Sequence, residues 1–333
     1  MKVLVIQYDS IGQVLLTTPV VRSFKTQLNA DVHFLTKKFL TQCLEASPYI
    51  DNIFSIESET SNLPEEILSG DYDVVVDLQG DKVTRSLKRI YKSKYHSIER
   101  DKLNLWLLIY LKINRLSNLH IVEKYINCVS EFGITLDNLG LDYFIPEKDE
   151  IELNWLPKTH QEGYVILSIH GAYRTRKLPT KRLIELCDRI NRAIVLIGNE
   201  EDVETAEEIS SFFEPGTEAE ELEIEQLNKK TVIFNACGKF SANQTASLID
   251  KANWVFTHDS DDMHIAAALK KKIYTIWGNT TPFFGQYPFR TQFTIFENNK
   301  INCRPCSSKG FDKCPKGHFK CMQDLQFDFY LPE

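Results

Sequence analysis

Ile11-Gly12-Gln13-Val14-Leu15-Leu16-Thr17-Thr18-Pro19 and His258-Asp259-Ser260-Asp261-Asp262-Met263-His264-Ile265-Ala266-Ala267 are the two stretches that decide the fold of this chain. Each comes just after an apolar run, Lys2–Tyr8 in the first case and Trp254–His258 in the second, of the kind that forms a strand buried on both faces. A strand that ends in a tight turn and opens a helix leaves unpaired N–H groups at the helix start. Phosphate is favoured there by hydrogen bonding and by the helix dipole. Two such turns predict two nucleotide-fold domains facing each other with a ligand between them.

The rest of the chain extends this pattern. In the first half, strands are predicted at Lys2–Tyr8, Asp31–Leu35, Ile53–Ile56 and Tyr72–Leu78, with helices at about Gln13–Leu28 and Lys38–Ala46. Between Ile145 and Gly163 the pattern lapses into charged and turn-forming residues, among them Pro146, Glu147, Lys148, Asp149, Glu150 and Pro157. A domain boundary falls there, giving domains of residues 1–150 and 151–333. Alternation then resumes with strands Tyr164–Ile169, Ala193–Ile197, Thr231–Asn235, Trp254–His258 and Ile273–Trp277. The helices between them are Pro179–Ile190, Asp202–Phe212, Ala242–Lys251 and Asp262–Leu269. The expected class is α/β, with two doubly wound Rossmann-like domains across a cleft.

Composition is compatible with this. The 333 residues are 43% hydrophobic, enough to fill two cores of about 150 residues each. A net charge of −7 argues against a nucleic-acid partner. The apolar run Leu103–Leu111 falls short of the roughly 20 residues of a spanning helix, and the chain enters directly as a strand, so a soluble cytoplasmic protein is expected. Flanked by Lys102 and Lys112, the run around Trp106 is either a helix of the first domain or a peripheral contact with the inner membrane. Glu218, Glu220, Glu221, Glu223 and Glu225 form a solvated acidic surface stretch. Of the eight cysteines, Cys43, Cys128, Cys187 and Cys237 lie in apolar patterns and suit core packing. Cys303, Cys306, Cys314 and Cys321, with His318 among them, have the ligand types and one C-x-x-C spacing of a structural zinc site; a reduced cysteine cluster is the other reading.

Taken in order, Lys2–Pro19, Ser47–Asp51, Tyr72–Gly80, Gly171–Pro179, Gly198–Glu208, Ala236–Lys239, Asp259–Ala268 and Trp277–Thr280 resemble the heptosyltransferase-like glycosyltransferases of family 9, which build the lipopolysaccharide core. The resemblance implies a GT-B architecture. The nucleotide-diphosphate sugar is then held mainly by the second domain, and a lipid-linked or glycan acceptor by the first. It also implies inverting transfer with no catalytic metal, in which a carboxylate deprotonates the acceptor hydroxyl and cations with N–H dipoles stabilise the leaving diphosphate.

Two positions depart from the family pattern. The base is expected just after Gly12, where this chain has Gln13, an amide that takes no proton near neutrality. Asp9, earlier in the same turn, either replaces it or bonds loop amides. At the diphosphate turn Asp259 and Ser260 match, but Asp261 replaces a glycine, which suits the helix dipole and repels a pyrophosphate. On the donor side, Arg176 stands where the family has a phosphate-binding lysine, with Lys177 beside it. Asp202 matches a ribose-contacting acid, and His264 either orders the diphosphate loop or packs. Gly12 and Thr17 in the first turn, and Lys82 and Arg85 flanking Val83, mark the acceptor side. The departures leave a second reading open: a catalytically degenerate GT-B protein that binds a ligand or partner without transferring sugar.

Overall fold

The computed structural model describes residues 1–332 apart from 59–61, 70, 100 and 215–229. The acidic stretch Glu218–Glu225 therefore lies outside the described residues. Two parallel sheets organise the chain. The first is built from β1 (Lys2–Ile6), β2 (Asp31–Lys37), β3 (Asn52–Ile56), β4 (Val74–Asp77) and β5 (Tyr95–Ser97), in the order β3-β2-β1-β4-β5. The second uses β6 (Val165–Ser168), β7 (Ala193–Ile197), β8 (Val232–Asn235), β9 (Trp254–His258), β10 (Ile273–Trp277) and β11 (Phe293–Glu297), in the order β11-β10-β9-β6-β7-β8. Every pairing is parallel, and the central strands β1, β6 and β9 are buried almost throughout, which explains their unbroken apolar sequence.

In each sheet the winding direction reverses between two neighbouring strands, β1 and β4 in the first and β6 and β9 in the second. Loops leaving such a pair diverge and open a crevice at the strands' carboxyl ends. The turn after β1 and the loop after β4 border one crevice; the loops after β6 and β9 border the other.

The helices that matter here are α1 (Ile11–Leu15), α2 (Thr18–Leu28), α3 (Ile121–Asn127), α4 (Thr180–Ile190), α5 (Val203–Phe212), α6 (Ala242–Lys251) and α7 (Asp261–Ala268). The single helix expected over Gln13–Leu28 is two. Pro19 has no N–H to give to the Leu15 carbonyl, and the Thr18 hydroxyl donates to that carbonyl instead, at 2.8 Å. The Lys38–Ala46 helix shortens to a 3₁₀ turn, Lys38–Cys43. The edge strands β5 and β11 add to the expected set. Among the described residues no helix is long and apolar enough to cross a membrane.

The domains share one apolar core: Val14 and Leu15 of α1, Val122 and Ile126 of α3, and Ile265 and Ala266 of α7 belong to the same buried cluster. A buried ionic cluster within the first domain fixes the loop that the second domain reaches. Arg22 on α2, 1% exposed, donates from Nε and Nη2 to Asp137 at 2.8 Å, from Nη2 to the Gly140 carbonyl at 2.8 Å, and also pairs with Asp142. Lys270, at the end of α7, donates to the Leu141 carbonyl of the same loop at 3.1 Å. A guanidinium buried this deeply is stable only with its partners present. Truncating one side of a buried pair costs about 3–5 kcal/mol, so Arg22→Ala is expected to lose stability of that order in urea unfolding, against a loss below about 1 kcal/mol for the exposed pair partner Lys38→Ala.

Candidate active site

The C-terminal crevice is lined by cations and carboxylates already engaged with one another. The loop after β6 makes a helical turn, Arg174–Arg176, that aims Arg176 at the turn after β9. Arg176 Nη1 donates to the Asp259 carbonyl at 3.2 Å and lies 3.4 Å from Asp259 Oδ2, while Nε donates to the Lys309 carbonyl. Asp259 Oδ2 also accepts from Thr280 Oγ1 at 2.7 Å. Burial pushes the Asp259 carboxyl up, opposed by Arg176 and Thr280. Asp259 thus fixes the guanidinium at the start of α7. Ser260 occupies the N-cap position in extended backbone, but its hydroxyl lies 3.1 Å from Thr257 Oγ1 and does not cap the helix.

Lys177 turns the other way. Its Nζ donates to Asp202 Oδ1 at 2.7 Å and Glu201 Oε1 at 3.2 Å in the turn that opens α5. His170 Nδ1 donates to Asp202 Oδ2 at 3.3 Å, and the Asn199 N–H to the same oxygen at 3.0 Å. Burial opposes the charge of Asp202, yet His170, Lys177 and Asn199 together hold its carboxyl down at about 2. His170, Glu201 and Asp202 bring three ligand atoms within 4.8 Å of one another, a set of a type that can hold a metal ion. The Lys177 ammonium already supplies positive charge to both carboxylates. Beneath this layer His258 is buried and pushed down to about 4 by desolvation; its Nε2 accepts from the Leu178 N–H at 3.0 Å and its Nδ1 donates to the His170 carbonyl at 3.1 Å. It is a neutral strut, a role that its place at the end of an apolar run does not signal.

The N-terminal crevice faces this one. Gln7 Nε2 donates to the Leu78 carbonyl at 3.2 Å, Gln7 Oε1 accepts from the Asp9 N–H at 3.1 Å, and Gln79 Oε1 accepts from the Tyr8 N–H at 3.3 Å. The Tyr8 hydroxyl donates to Asp81, whose Oδ1 also caps Val83 and Thr84. These residues lock the turns after β1 and β4 together, and their pairing is invisible in local sequence. Asp9, Lys82 and Arg85 are exposed, Gln13 is half-buried, and Thr17 is buried, with its hydroxyl on the Val14 carbonyl at 2.7 Å.

One side chain joins the two crevices. Asp261 Oδ1 accepts from Ser10 Oγ at 2.7 Å and from the Gly12 N–H at 3.0 Å. A Cβ on Gly12 would fall 2.6 Å from that oxygen and 2.7 Å from the His264 ring. His264, buried and pushed down to about 3 by desolvation, is neutral and packs against this turn.

The cysteine tail lies over the loop after β6. The Phe311 N–H donates to Thr175 Oγ1 at 2.8 Å, the Thr175 N–H to the Phe311 carbonyl at 3.0 Å, and the Cys306 N–H to the Asn279 carbonyl at 2.9 Å. Cys303 Sγ is 3.8 Å from His318 Nε2, and burial beside Cys303 pushes the Cys306 thiol up to about 11. All eight cysteines are free. Cys43, Cys187 and Cys237 are buried as expected, whereas Cys128 is half-buried. A separate groove of about 390 Å³ between Leu119 and Phe283 includes none of the site residues.

Two doubly wound domains closed over facing crevices define a GT-B fold, the architecture of nucleotide-sugar glycosyltransferases. The chain belongs to glycosyltransferase family 9 (heptosyltransferase), whose family model matches residues 61–315. Among solved structures it is similar to the family 9 glycosyl transferase of Veillonella parvula DSM 2008, with a TM-score of 0.67 and 20% identity over 88% of this chain and 85% of that one. It is similar also to E. coli ADP-heptose lps heptosyltransferase II, with a TM-score of 0.66 and 17% identity over 97% and 98% of the two chains. For E. coli heptosyltransferase WaaC with ADP, the TM-score is 0.61 at 19% identity over 89% and 93%. At these identities the structural likeness bears on fold. No curated protein sequence matches the chain.

The His170–Asp202 pair gives a pH test. Burial opposes the His170 charge, but Asp202 outweighs it and raises its pKa above the ordinary 6.5. The pair's contribution to stability is therefore complete below pH 6.5 and declines as pH rises through the folded midpoint. NMR titration of His170 is expected to give a midpoint above 6.5, which Asp202→Asn moves downward; an unmoved midpoint would sink the assignment.

Proposed function

We propose that this protein transfers a sugar, heptose-like in kind, from a nucleotide-diphosphate sugar to a lipopolysaccharide-type or related glycan acceptor, with inversion and without a catalytic metal. The observation that carries this is Arg176, fixed by Asp259 over the start of α7 at the switch point of the second sheet. A guanidinium beside a helix start can take the two charges of a leaving diphosphate bidentately and spread them over N–H dipoles. Lys177 and Asp202 on the neighbouring wall suit the nucleoside end, with residues 151–333 as donor domain. Gly12, Lys82 and Arg85 suit an acidic acceptor held by residues 1–150.

Leu103, Trp106, Tyr110 and Leu111 are exposed at 69, 48, 67 and 52%. With Lys102 beside them they suit contact with a lipid surface, the place of a lipid-linked acceptor. The thiols of the four tail cysteines do not form a ligand cluster among the described residues, as His170, Glu201 and Asp202 do; they are proposed to converge on a structural zinc, which would pin the strap that carries the Lys309 carbonyl to Arg176.

Calorimetric titration with ADP, GDP, UDP and CDP tests the donor site. One of the four is expected to bind in the micromolar range, with Arg176→Ala weaker by roughly tenfold or more, the loss of a charge-assisted hydrogen bond. No binding by any of them would instead favour the degenerate, non-catalytic reading, which the amide of Gln13 at the expected base position supports. Elemental analysis of the purified chain is expected to return about one zinc per molecule, lost in Cys306→Ser together with several degrees of melting temperature; a zinc-free wild type ends the metal proposal.

A further inference from the structure

We infer that Asp261, reaching across the cleft from the second domain, is the general base of the transfer reaction; the inference rests on the glycosyltransferase reading above. Transfer to a hydroxyl requires a proton acceptor beside that hydroxyl, within hydrogen-bond reach and fixed in direction. In the turn after β1 the two nearest side chains of that turn do not meet the need: Gln13 is an amide, and Asp9 is exposed at the rim. The carboxylate that does reach this turn belongs to Asp261. Ser10 Oγ at 2.7 Å and the Gly12 N–H at 3.0 Å both donate to its Oδ1 and fix its orientation. Its Oδ2 has no hydrogen-bond partner among the described residues.

Three carboxylates crowd the start of α7. Asp259 Oδ2 is taken by Thr280 and Arg176, and Asp262 Oδ2 by Ser168 Oγ at 2.6 Å. Only Asp261 leaves its own domain. The titratable groups facing it are Asp259 in the preceding turn, Asp262 on its own helix, His170 from the loop after β6 and Cys43 beyond β2, with the His264 ring beside it at the Gly12 turn. Burial pushes its carboxyl up from the ordinary 3.8, in the direction that makes a carboxylate a stronger base.

In the step itself, Oδ2 takes the proton of the acceptor hydroxyl as the hydroxyl oxygen bonds to the anomeric carbon. The bond from that carbon to the diphosphate oxygen breaks, and its electron pair leaves with the nucleoside diphosphate, whose charge Arg176 faces. Water can stand in for the acceptor, giving free sugar and nucleoside diphosphate.

That hydrolysis is the assay, run on the full chain with ADP-heptose, GDP-mannose, UDP-glucose and UDP-N-acetylglucosamine as probes, alongside calorimetric binding of the matching diphosphates. Asp261→Asn keeps an oxygen for Ser10 and Gly12 but takes no proton. It is expected to slow release by about 100-fold or more, to hold diphosphate affinity within about twofold of wild type, and to lose the acid limb of the wild-type pH–rate profile. Gln13→Asp combined with Asp261→Gly returns a carboxylate to the first domain and is expected to recover most of the rate, which separates lost chemistry from lost folding. Asp261→Asn with wild-type turnover, or loss confined to Asp9→Asn, overturns the inference and makes Asp261 an interdomain clasp. A wild type that binds a diphosphate yet releases none from any probe also overturns it while the donor site stands; a wild type that binds no diphosphate removes the transferase reading beneath it.

Discussion

The close approach of the Gly12 turn to the start of α7 is the constraint around which this molecule is arranged. A side chain at residue 12 would overlap both the Asp261 carboxylate and the His264 ring, so the position must be glycine. Without a Cβ the Gly12 N–H is free to donate across the domain boundary. That contact brings α1 against α7 and covers α7 on the side a surface helix would leave wet. The composition of α7 follows: Met263 through Ala268 are all buried, and the three consecutive alanines there let neighbouring backbones lie close. A hydrophobic core that crosses from one domain into the other is the outcome.

The second organising influence is the disposition of charge around the crevice of the second sheet. Arg176 and Lys177 are adjacent in sequence but serve opposite walls of the crevice, because the helical turn at Arg174–Arg176 ends between them and Lys177 takes extended backbone. Each cation is held by a carboxylate that is itself buried or nearly so, Asp259 for Arg176 and Asp202 for Lys177. The tail completes the arrangement. Arg304 reaches the carbonyls of Gly278 and Thr280 and pairs with Glu297 at 2.9 Å, and Phe311 clasps Thr175, so residues far along the chain decide where the loop after β6 sits.

Much of this was legible in the sequence because parallel strands buried on both faces are written as unbroken apolar runs; β1, β7, β9 and β10 fall within a residue or two of where those runs predict them. The glycine turn and the acidic helix start were legible for the same reason, each following such a run. What escaped was non-local or too short to leave a period. β5 has three residues, and β11 at Phe293–Glu297 sits among turn-forming neighbours. Thr18 and Pro19 break a helix through a side-chain bond that a 3.6-residue pattern does not register. Gln7, Gln79, Tyr8 and Asp81 act through partners about 70 positions away, and Ser10 meets Asp261 across 251. Phe327 and Phe329 pack back on the second domain, whereas Tyr330 stays 76% exposed, and nothing in their local pattern distinguishes them.

Direction, more than identity, separates the sequence picture of Asp261 from the structural one. Counted as a charge at a helix start it competes with a pyrophosphate, and Gln13 counts separately as a missing carboxylate. The backbone at Ser260 is extended, and the Asp261 side chain that follows reaches Ser10 and Gly12 of the first domain, while Asp259 is the carboxylate that meets Arg176. Its charge is thereby drawn from the wall that would face a diphosphate and delivered to the wall that lacks an acid. Since Ser10 and Gly12 are its donors, this position exists only while the domains are closed. Parting them would carry the carboxylate off with α7, so closure of the cleft and arrival of the acid at the first turn are one geometric event.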